Sequence, residues 1–120
     1  MVRISLVLRG EIWLINLDPT IGAEIRKTRP AAIVSSDAVG ILPLEVVVPL
    51  TEWKEHYSIA PWMVRVNPAP SNGLDKPSAA DAFQVRSVSK ERFVRRIGIL
   101  PEGTLGAIAA ALALVLEIDL

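Results

Sequence analysis

Short apolar runs separated by turn-forming residues make up most of the chain. The first run, GEIWLINLDP, is apolar at both alternating sets of positions from Ile12 to Leu17, and Asp18-Pro19 ends it with turn chemistry. A strand that is apolar on both faces has to be covered on both. We therefore expect this strand to lie in the middle of a sheet.

Five further segments have the character of short strands, because several are rich in β-branched residues and Asp, Asn, Gly, Pro or Ser fills most of the gaps between them. They are residues 31–35, 44–50, 62–66, 80–85 and 93–100. So many short strands in 120 residues predict a barrel or sandwich rather than alternating strand–helix units. The polar stretch 20–29, which contains Gly22 and precedes Pro30, is predicted to be an exposed loop.

Two residues give local signals within this pattern. Pro49 lies in an otherwise good strand, and because proline cannot donate to a strand ladder, we expect a strand end or a bulge there. Thr51 would then lie just beyond, at the mouth of a loop. Ser89 can cap a single helical turn over residues 90–92.

One helix is predicted near the C-terminus. Pro101, Glu102 and Thr104 supply a start signal, and residues 105–116 then form one broad apolar face at helical spacing. This uncharged stretch is shorter than the roughly 18 to 20 apolar residues that a membrane span needs. We expect the helix to cap the sheet and to leave an apolar remainder for association with another protein.

The composition fits a single domain over residues 1–120, with 51% hydrophobic and 22% charged residues. The absence of cysteine excludes disulfides, zinc–cysteine sites, iron–sulfur clusters and thiol nucleophiles, and is typical of a reducing cytoplasm. Residues 1–9 hold too few apolar positions for the apolar region of a signal peptide, so we expect no secretion signal.

The charges sum to zero but are unevenly distributed. Residues 18–29 carry three cations against two acids, and residues 75–96 carry six cations against three acids. If these two segments face each other, they form a basic groove in which phosphate neutralisation supplies salt-dependent affinity. A solvated basic surface explains the same charges, and composition leaves both interpretations open.

Several short motifs follow one another from residue 9 to the C-terminal helix. They are RGEIW at 9–13 with DP at 18–19, GAE at 22–24, RPA at 29–31, VPLT at 48–51, NGL at 72–74 with Ser78, and QVRSV at 84–88 with Lys90 and Arg92. In order and spacing they resemble the MazF/PemK toxin endoribonucleases of type II toxin–antitoxin systems over nearly the whole chain.

The resemblance implies a mainly β fold with a C-terminal helix, in the form of a small SH3-like β-barrel that pairs as a homodimer in the cytoplasm. It implies a sequence-selective cut in single-stranded RNA without a metal or other cofactor, giving 2′,3′-cyclic phosphate and 5′-OH ends. It also implies a MazE-like antitoxin whose disordered tail lies along the dimer.

By the same resemblance, Arg29 and Thr51 act at the scissile phosphate and Glu24 matches a third catalytic position. A guanidinium fork and a hydroxyl both suit phosphoryl oxygens, and since arginine keeps its proton in proteins, Arg29 stabilises charge first. Glu24 either accepts the 2′-OH proton or pairs with Arg26 or Arg29 to order the loop. Without the resemblance, Arg29 is an exposed loop cation and Thr51 a capping hydroxyl.

RNA-binding side chains are expected around that site. They are Arg26, Lys27, Trp53, Gln84 and Arg86. Trp53 either stacks on a splayed base or packs over the barrel mouth, and Arg86 is otherwise a surface cation. Trp13 and Trp62 fall in strand patterns and are expected in the core or a dimer interface. Ile25 and Phe83 depart from residues common in the family, which affects sequence preference more than chemistry.

Two other functions remain open at this point. The related CcdB toxins use a similar barrel and C-terminal helix to bind DNA gyrase without catalysis, although such a poison would not need the phosphate-binding pair Arg29 and Thr51. An inactive RNA-binding barrel is the other alternative. Salt-dependent RNA binding without turnover would distinguish it from an enzyme.

Overall fold

Seven strands and one α-helix make up the computed structural model, which describes residues 6–119. They are β1 (Glu11–Asn16), β2 (Thr28–Ile33), β3 (Leu44–Glu52), β4 (Met63–Val66), β5 (Ser78–Asp81), β6 (Arg86–Ser89), β7 (Phe93–Ile99) and α1 (Glu102–Leu116). Residues 1–5, part of the segment expected to lack a secretion signal, lie outside the described residues.

All strand pairs are antiparallel, in the order β4-β5-β3-β2-β1-β7, with β6 also paired to β3. The expectation of a mainly β fold with a C-terminal helix is confirmed. Among residues 6–119 the ladder does not close into a ring, since β4 and β7 are its two ends. The barrel is therefore open.

The core lies on both sides of β1, which pairs with β2 and with β7. Trp13 and Ile15 belong to one buried cluster, whereas Ile12 belongs to the other, which also contains Ile108 of α1. Each face of β1 is thus covered by apolar side chains. The predicted central position of this strand is confirmed.

The segment 20–29 is a loop only as far as Lys27, because β2 begins at Thr28 and already contains Arg29 and Pro30. Proline is tolerated there since the β2–β3 ladder starts one residue later, at Ala31. The predicted strand 80–85 is also wrong in its bounds. It ends at Asp81, whose carboxylate accepts from the Phe83 N–H at 3.1 Å and caps a short 3₁₀ turn.

Pro49 does not end its strand, and β3 continues to Glu52. The reason is a change of partner along one edge of β3: the pairing with β6 ends at Val47, and the pairing with β5 begins at Leu50. The missing N–H of Pro49 falls between these two ladders. Thr51 therefore lies inside the strand, opposite Ala79, and not in a loop.

The two predicted helical features are present. α1 covers residues 102–116 and ends at Glu117, which has the left-handed backbone of a helix C-cap. Ser89 caps the turn Lys90–Arg92 by accepting from the Glu91 N–H at 3.2 Å. Over residues 6–119 we find no helix with the length and apolar character required to span a membrane.

Candidate active site

A cavity of about 200 Å³ opens where β2 and β3 separate. Their ladder ends at the pair Ala31–Pro49, after which β2 continues along β1 and β3 continues along β5. The two strands diverge and leave a cleft between them. Its lining is Leu14, Arg29, Pro30, Leu50, Thr51, Glu52, Gly73, Leu74, Asp75, Lys76, Ser78, Arg95 and Ile97.

Arg29 and Thr51, the two residues predicted to act on one phosphate, are both among the residues that line this cavity. The β2–β3 ladder ends at Ala31–Pro49, and Arg29 and Thr51 each lie two residues beyond that pair, Arg29 on β2 and Thr51 on β3. Both are half-buried, and the Arg29 Nε donates to the Arg26 carbonyl oxygen at 3.3 Å. The fork and the hydroxyl thus stand on the two strands that frame the cleft.

Arg95 is a cavity residue that the sequence analysis counted only as a charge. It lies on β7 and pairs with Leu14 of β1, which pairs on its other side with Pro30. Its neighbour Arg96 instead donates from Nε to the Glu11 carboxylate at 2.9 Å. Successive side chains of a strand point to opposite faces of the sheet, so Arg95 and Arg96 face different surroundings. This alternation is the sequence signal that could have distinguished the two arginines.

Two carboxylates also line the cavity. Glu52 forms an exposed ion pair with Lys76 at 3.6 Å, so these two charges largely cancel. Asp75 is the second acid, and Arg29 and Arg95 are the remaining cations of the lining. The cavity is therefore positive on balance, with an apolar floor that includes Leu14, Pro30 and Leu50.

The cavity wall opposite β2 is a loop organised by the NGL motif. The buried Asn72 accepts from the N–H groups of Ala69 and Leu74 at 3.1 Å each, and donates to the Asn67 carbonyl at 2.9 Å. Gly73 follows with a φ of 70° and lies directly against the backbone of Ile97 on β7. The motif thus has a structural explanation: it holds the wall in place.

Glu24 is not part of this cavity. It lines a second cavity of about 370 Å³ together with Ala23, Phe83, Gln84, Val85 and Arg86. Its carboxylate accepts from the Ile21 N–H at 2.6 Å and closes a tight turn in the loop. The ion pairs between Glu24 and Arg26 or Arg29 that the sequence left open do not occur among the described contacts.

Gln84 and Arg86 brace the same loop from the other side. The Gln84 side chain accepts from the Ile25 N–H at 2.5 Å and donates to the Ala23 carbonyl at 3.0 Å. Arg86 donates to the Leu17 carbonyl at 3.2 Å. Arg26 and Lys27 are the other two predicted RNA-binding residues in this region. Both are exposed on the loop that these hydrogen bonds position.

Trp53 stands in a small aromatic cluster on the surface. The Arg65 guanidinium lies 5.0 Å from the centre of the Trp53 ring, and Tyr57 meets that ring edge-on at 5.9 Å. Trp13 is buried in the core as expected. Trp62 is not a core residue: it is 38% exposed, beside the exposed Phe83.

The geometry defines a class: a small, mainly β protein with a cavity, positively charged on balance, at the point where two strands of its open sheet diverge. A family model describing PemK-like, MazF-like toxins of type II toxin–antitoxin systems matches residues 8–116. The chain belongs to this family. The resemblance drawn from the short motifs is confirmed.

Two curated relatives are similar in sequence to this chain over most of its length. The chain is 34% identical over 116 residues to "Endoribonuclease MazF9" of Mycobacterium tuberculosis, covering 92% of this chain and 96% of the relative. It is 33% identical over 110 residues to "Endoribonuclease PemK" of Escherichia coli, covering 90% and 80% respectively.

Solved structures share the fold. A crystal structure of MazF from Deinococcus radiodurans superposes with a TM-score of 0.79 at 24% identity, covering 93% of this chain and 97% of that chain. A mycobacterial endoribonuclease in complex with its cognate antitoxin gives a TM-score of 0.72 at 23% identity, covering 96% and 99%.

Proposed function

We propose that this chain is the toxin of a type II toxin–antitoxin pair and a sequence-selective endoribonuclease that cuts single-stranded RNA without a metal ion. The observation that carries the proposal is that Arg29 and Thr51 both line one cavity that is positively charged on balance. The relatives named endoribonucleases, each matched over at least 80% of its length, support it.

The reaction proposed for this cavity is an internal transesterification. The ribose 2′-oxygen attacks the adjacent phosphorus, the P–O5′ bond breaks, and the products are a 2′,3′-cyclic phosphate and a 5′-OH end. Arg29 stabilises the charge that develops on the phosphoryl oxygens, and the Thr51 hydroxyl donates to one of them. The 2′-OH proton passes to a base, and the departing 5′-oxygen takes up a proton.

Three carboxylates are candidates for that base. Glu24 is the one suggested by the family pattern, whereas Glu52 and Asp75 are the two that line the cavity itself. Comparing Glu24→Gln, Glu52→Gln and Asp75→Asn identifies the base, because only its variant loses the acidic limb of the pH–rate profile.

Cleavage of a long RNA by the purified protein in the presence of a chelator, followed by mapping of the ends, tests the function. We expect 2′,3′-cyclic phosphate ends, and a loss of about 100-fold or more in rate for Arg29→Ala and for Thr51→Ala, since each removes a preorganised donor. Thermal unfolding of each variant checks that its fold is retained.

No cleavage by the wild-type protein would refute the function, and undiminished cleavage by Arg29→Ala would refute this cavity as its site. Toxicity that survives Arg29→Ala, with gyrase recovered in a pull-down, would favour the non-catalytic poison instead. RNA binding without turnover would favour the inactive barrel.

We further propose that the chain works in the cytoplasm as a homodimer and is neutralised by a MazE-like antitoxin. The structure of a protein with the same fold has been solved in complex with its cognate antitoxin, which supports an antitoxin as a partner of this chain. Exposed apolar residues at the end of α1, Leu114, Leu116 and Ile118, support an association surface there.

A further inference from the structure

Two aromatic rings are exposed side by side at the second cavity. Phe83 is 68% exposed and Trp62 is 38% exposed, and their ring centres lie 6.4 Å apart. The turn that carries Phe83 is anchored. The buried Asp81 accepts from the Phe83 N–H at 3.1 Å, and the buried Ala82 donates its N–H to the carbonyl of Trp62 at 3.0 Å. A single exposed apolar side chain is ordinary on a protein surface, but two rings on an anchored backbone beside a cavity indicate a binding surface.

The rest of the lining of this cavity is mostly polar. Phe83 lines it together with Glu24, Gln84 and Arg86. Gln84 uses its amide oxygen and its amide nitrogen on the backbone of the loop 20–27, and Arg86 donates to a backbone carbonyl. The Glu24 Oε1 accepts from a backbone N–H of its own loop at 2.6 Å, whereas within residues 6–119 we find no hydrogen bond or ion pair to its Oε2. The cavity therefore offers a ligand one aromatic ring and one carboxylate oxygen.

The second cavity is close to the candidate active site. An extended chain spans at most about 3.6 Å per residue, so the backbones of Glu24 and Arg29 lie within about 18 Å of each other. The loop between them is tied to the site, because the Arg29 Nε donates to the Arg26 carbonyl oxygen at 3.3 Å. A few nucleotides of a single strand span that distance. One RNA strand can therefore place a phosphate in the cavity lined by Arg29 and Thr51 and a base in the second cavity.

We propose that the second cavity is a nucleobase subsite, in which the base stacks on Phe83 and the Glu24 Oε2 accepts a hydrogen bond from an exocyclic amino group. The proposal rests on the ribonuclease function proposed above and gives it a base preference. Every base has a face that can stack on an aromatic ring, whereas a carboxylate oxygen accepts from the amino group of cytosine and repels the carbonyl oxygen that uracil has in its place. Glu24 thereby has a role in recognition, which agrees with its position outside the cavity of Arg29 and Thr51.

The experiment measures binding of two labelled single-stranded probes of equal length, oligocytidine and oligouridine, by fluorescence anisotropy. Both carry 2′-O-methyl groups, so neither can be cut and a role of Glu24 in catalysis does not affect the result. Phe83→Ala removes the ring and Phe83→Tyr retains it. The control for the alanine variant is Ile41→Ala, at an apolar residue that is 94% exposed and lines neither cavity. Thermal unfolding of each variant checks its fold.

We expect Phe83→Ala to weaken binding of both probes by about fivefold or more, the loss typical of one stacked base, while Phe83→Tyr and Ile41→Ala keep the wild-type affinity. Glu24→Gln tests the carboxylate. Its carbonyl oxygen can still accept the backbone N–H, but its amide nitrogen now donates, so the ratio of oligocytidine to oligouridine affinity should fall by about tenfold or more. The general gain in RNA affinity from losing a negative charge cancels in this ratio.

Unchanged binding by Phe83→Ala would overturn the proposal and assign the exposed ring to a protein surface. An unchanged probe ratio in Glu24→Gln would also overturn it. If the wild type binds the probes but does not cut unmodified RNA, the ribonuclease function fails, while the affinities still decide the subsite. A wild type that cuts unmodified RNA but binds neither probe overturns the subsite and leaves the function standing.

Discussion

Asp81 is a buried carboxylate at the end of β5, where its oxygen caps the following turn. Burial raises its pKa above the ordinary value of 3.8, and the hydrogen bond from the Phe83 N–H only partly opposes that rise. The native state therefore holds this proton at pH values where the unfolded chain has already lost it. It follows that this group's contribution to stability is present at low pH and is lost as the pH rises through the raised pKa.

Asp81→Asn should remove this pH dependence, because an amide oxygen still accepts from the Phe83 N–H but carries no charge to desolvate. We expect the urea midpoint of the variant, relative to wild type, to increase between about pH 3 and about pH 7. Equilibrium unfolding followed by tryptophan fluorescence measures it. A difference that stays flat over this range would contradict the assignment.

At the level of single residues, the sequence indicated a candidate pair by its specific chemistry but missed the contacts that depend on backbone geometry. Arg29 and Thr51 could be singled out by residue type and by the family pattern, and both line one cavity in the structure. The hydrogen bond by which Glu24 closes its turn and the two hydrogen bonds between Gln84 and the loop each join a side chain to a backbone group. No side-chain pattern in the sequence indicates such contacts.

Among the elements, those with a strong local signal were predicted and those shaped by a neighbour were not. β1, α1 and the turn capped by Ser89 follow from periodicity and capping. The passage of β3 through Pro49 depends on β6 and β5 sharing one edge, which the sequence of β3 alone does not contain. The position of Thr51, and with it the shape of the cavity, depends on that arrangement.

The loop that forms the cavity wall depends on Gly73. A Cβ added there would lie 2.2 Å from the Ile97 carbonyl oxygen, and its φ of 70° is unfavourable for other residues. We expect Gly73→Ala to destabilise the protein by about 1 to 3 kcal/mol and to reduce RNA cleavage, since the wall must move away from β7. Chemical denaturation and the cleavage assay measure the two effects.

Gly103→Ala is the matched control for that variant. Its added Cβ meets no heavy atom within 4 Å, and alanine is favoured over glycine in α1 by up to about 1 kcal/mol. It should therefore keep or raise stability and keep full cleavage. Equal behaviour of the two alanine variants would show that the contact between Gly73 and β7 does not shape the site.

At the level of the whole molecule, the candidate site and the end of α1 differ in the side chains that they expose. The chain has no net charge, yet Arg29 and Arg95 both line its candidate site, and three exposed apolar side chains, Leu114, Leu116 and Ile118, lie at the end of α1. A shallow groove there is lined by Ala110, Ala113, Leu114 and Ile118 together with the acids Glu117 and Asp119. A chain of this kind can bind a polyanion at one place and another protein at a second.

The end of α1 can be tested as the homodimer surface by placing a charge in it. Leu114 is 53% exposed, and if a partner covers that half, Leu114→Lys removes about half of the roughly 1.5 to 3 kcal/mol of a full leucine burial from each subunit. We expect the dimer dissociation constant, measured by analytical ultracentrifugation, to rise by about tenfold or more, since the change occurs twice in a symmetric dimer. Ile59→Lys, at an apolar residue 87% exposed outside α1, should leave it unchanged. A wild type that is monomeric at every concentration would refute the homodimer, and equal dimerisation by Leu114→Lys would move its interface away from α1.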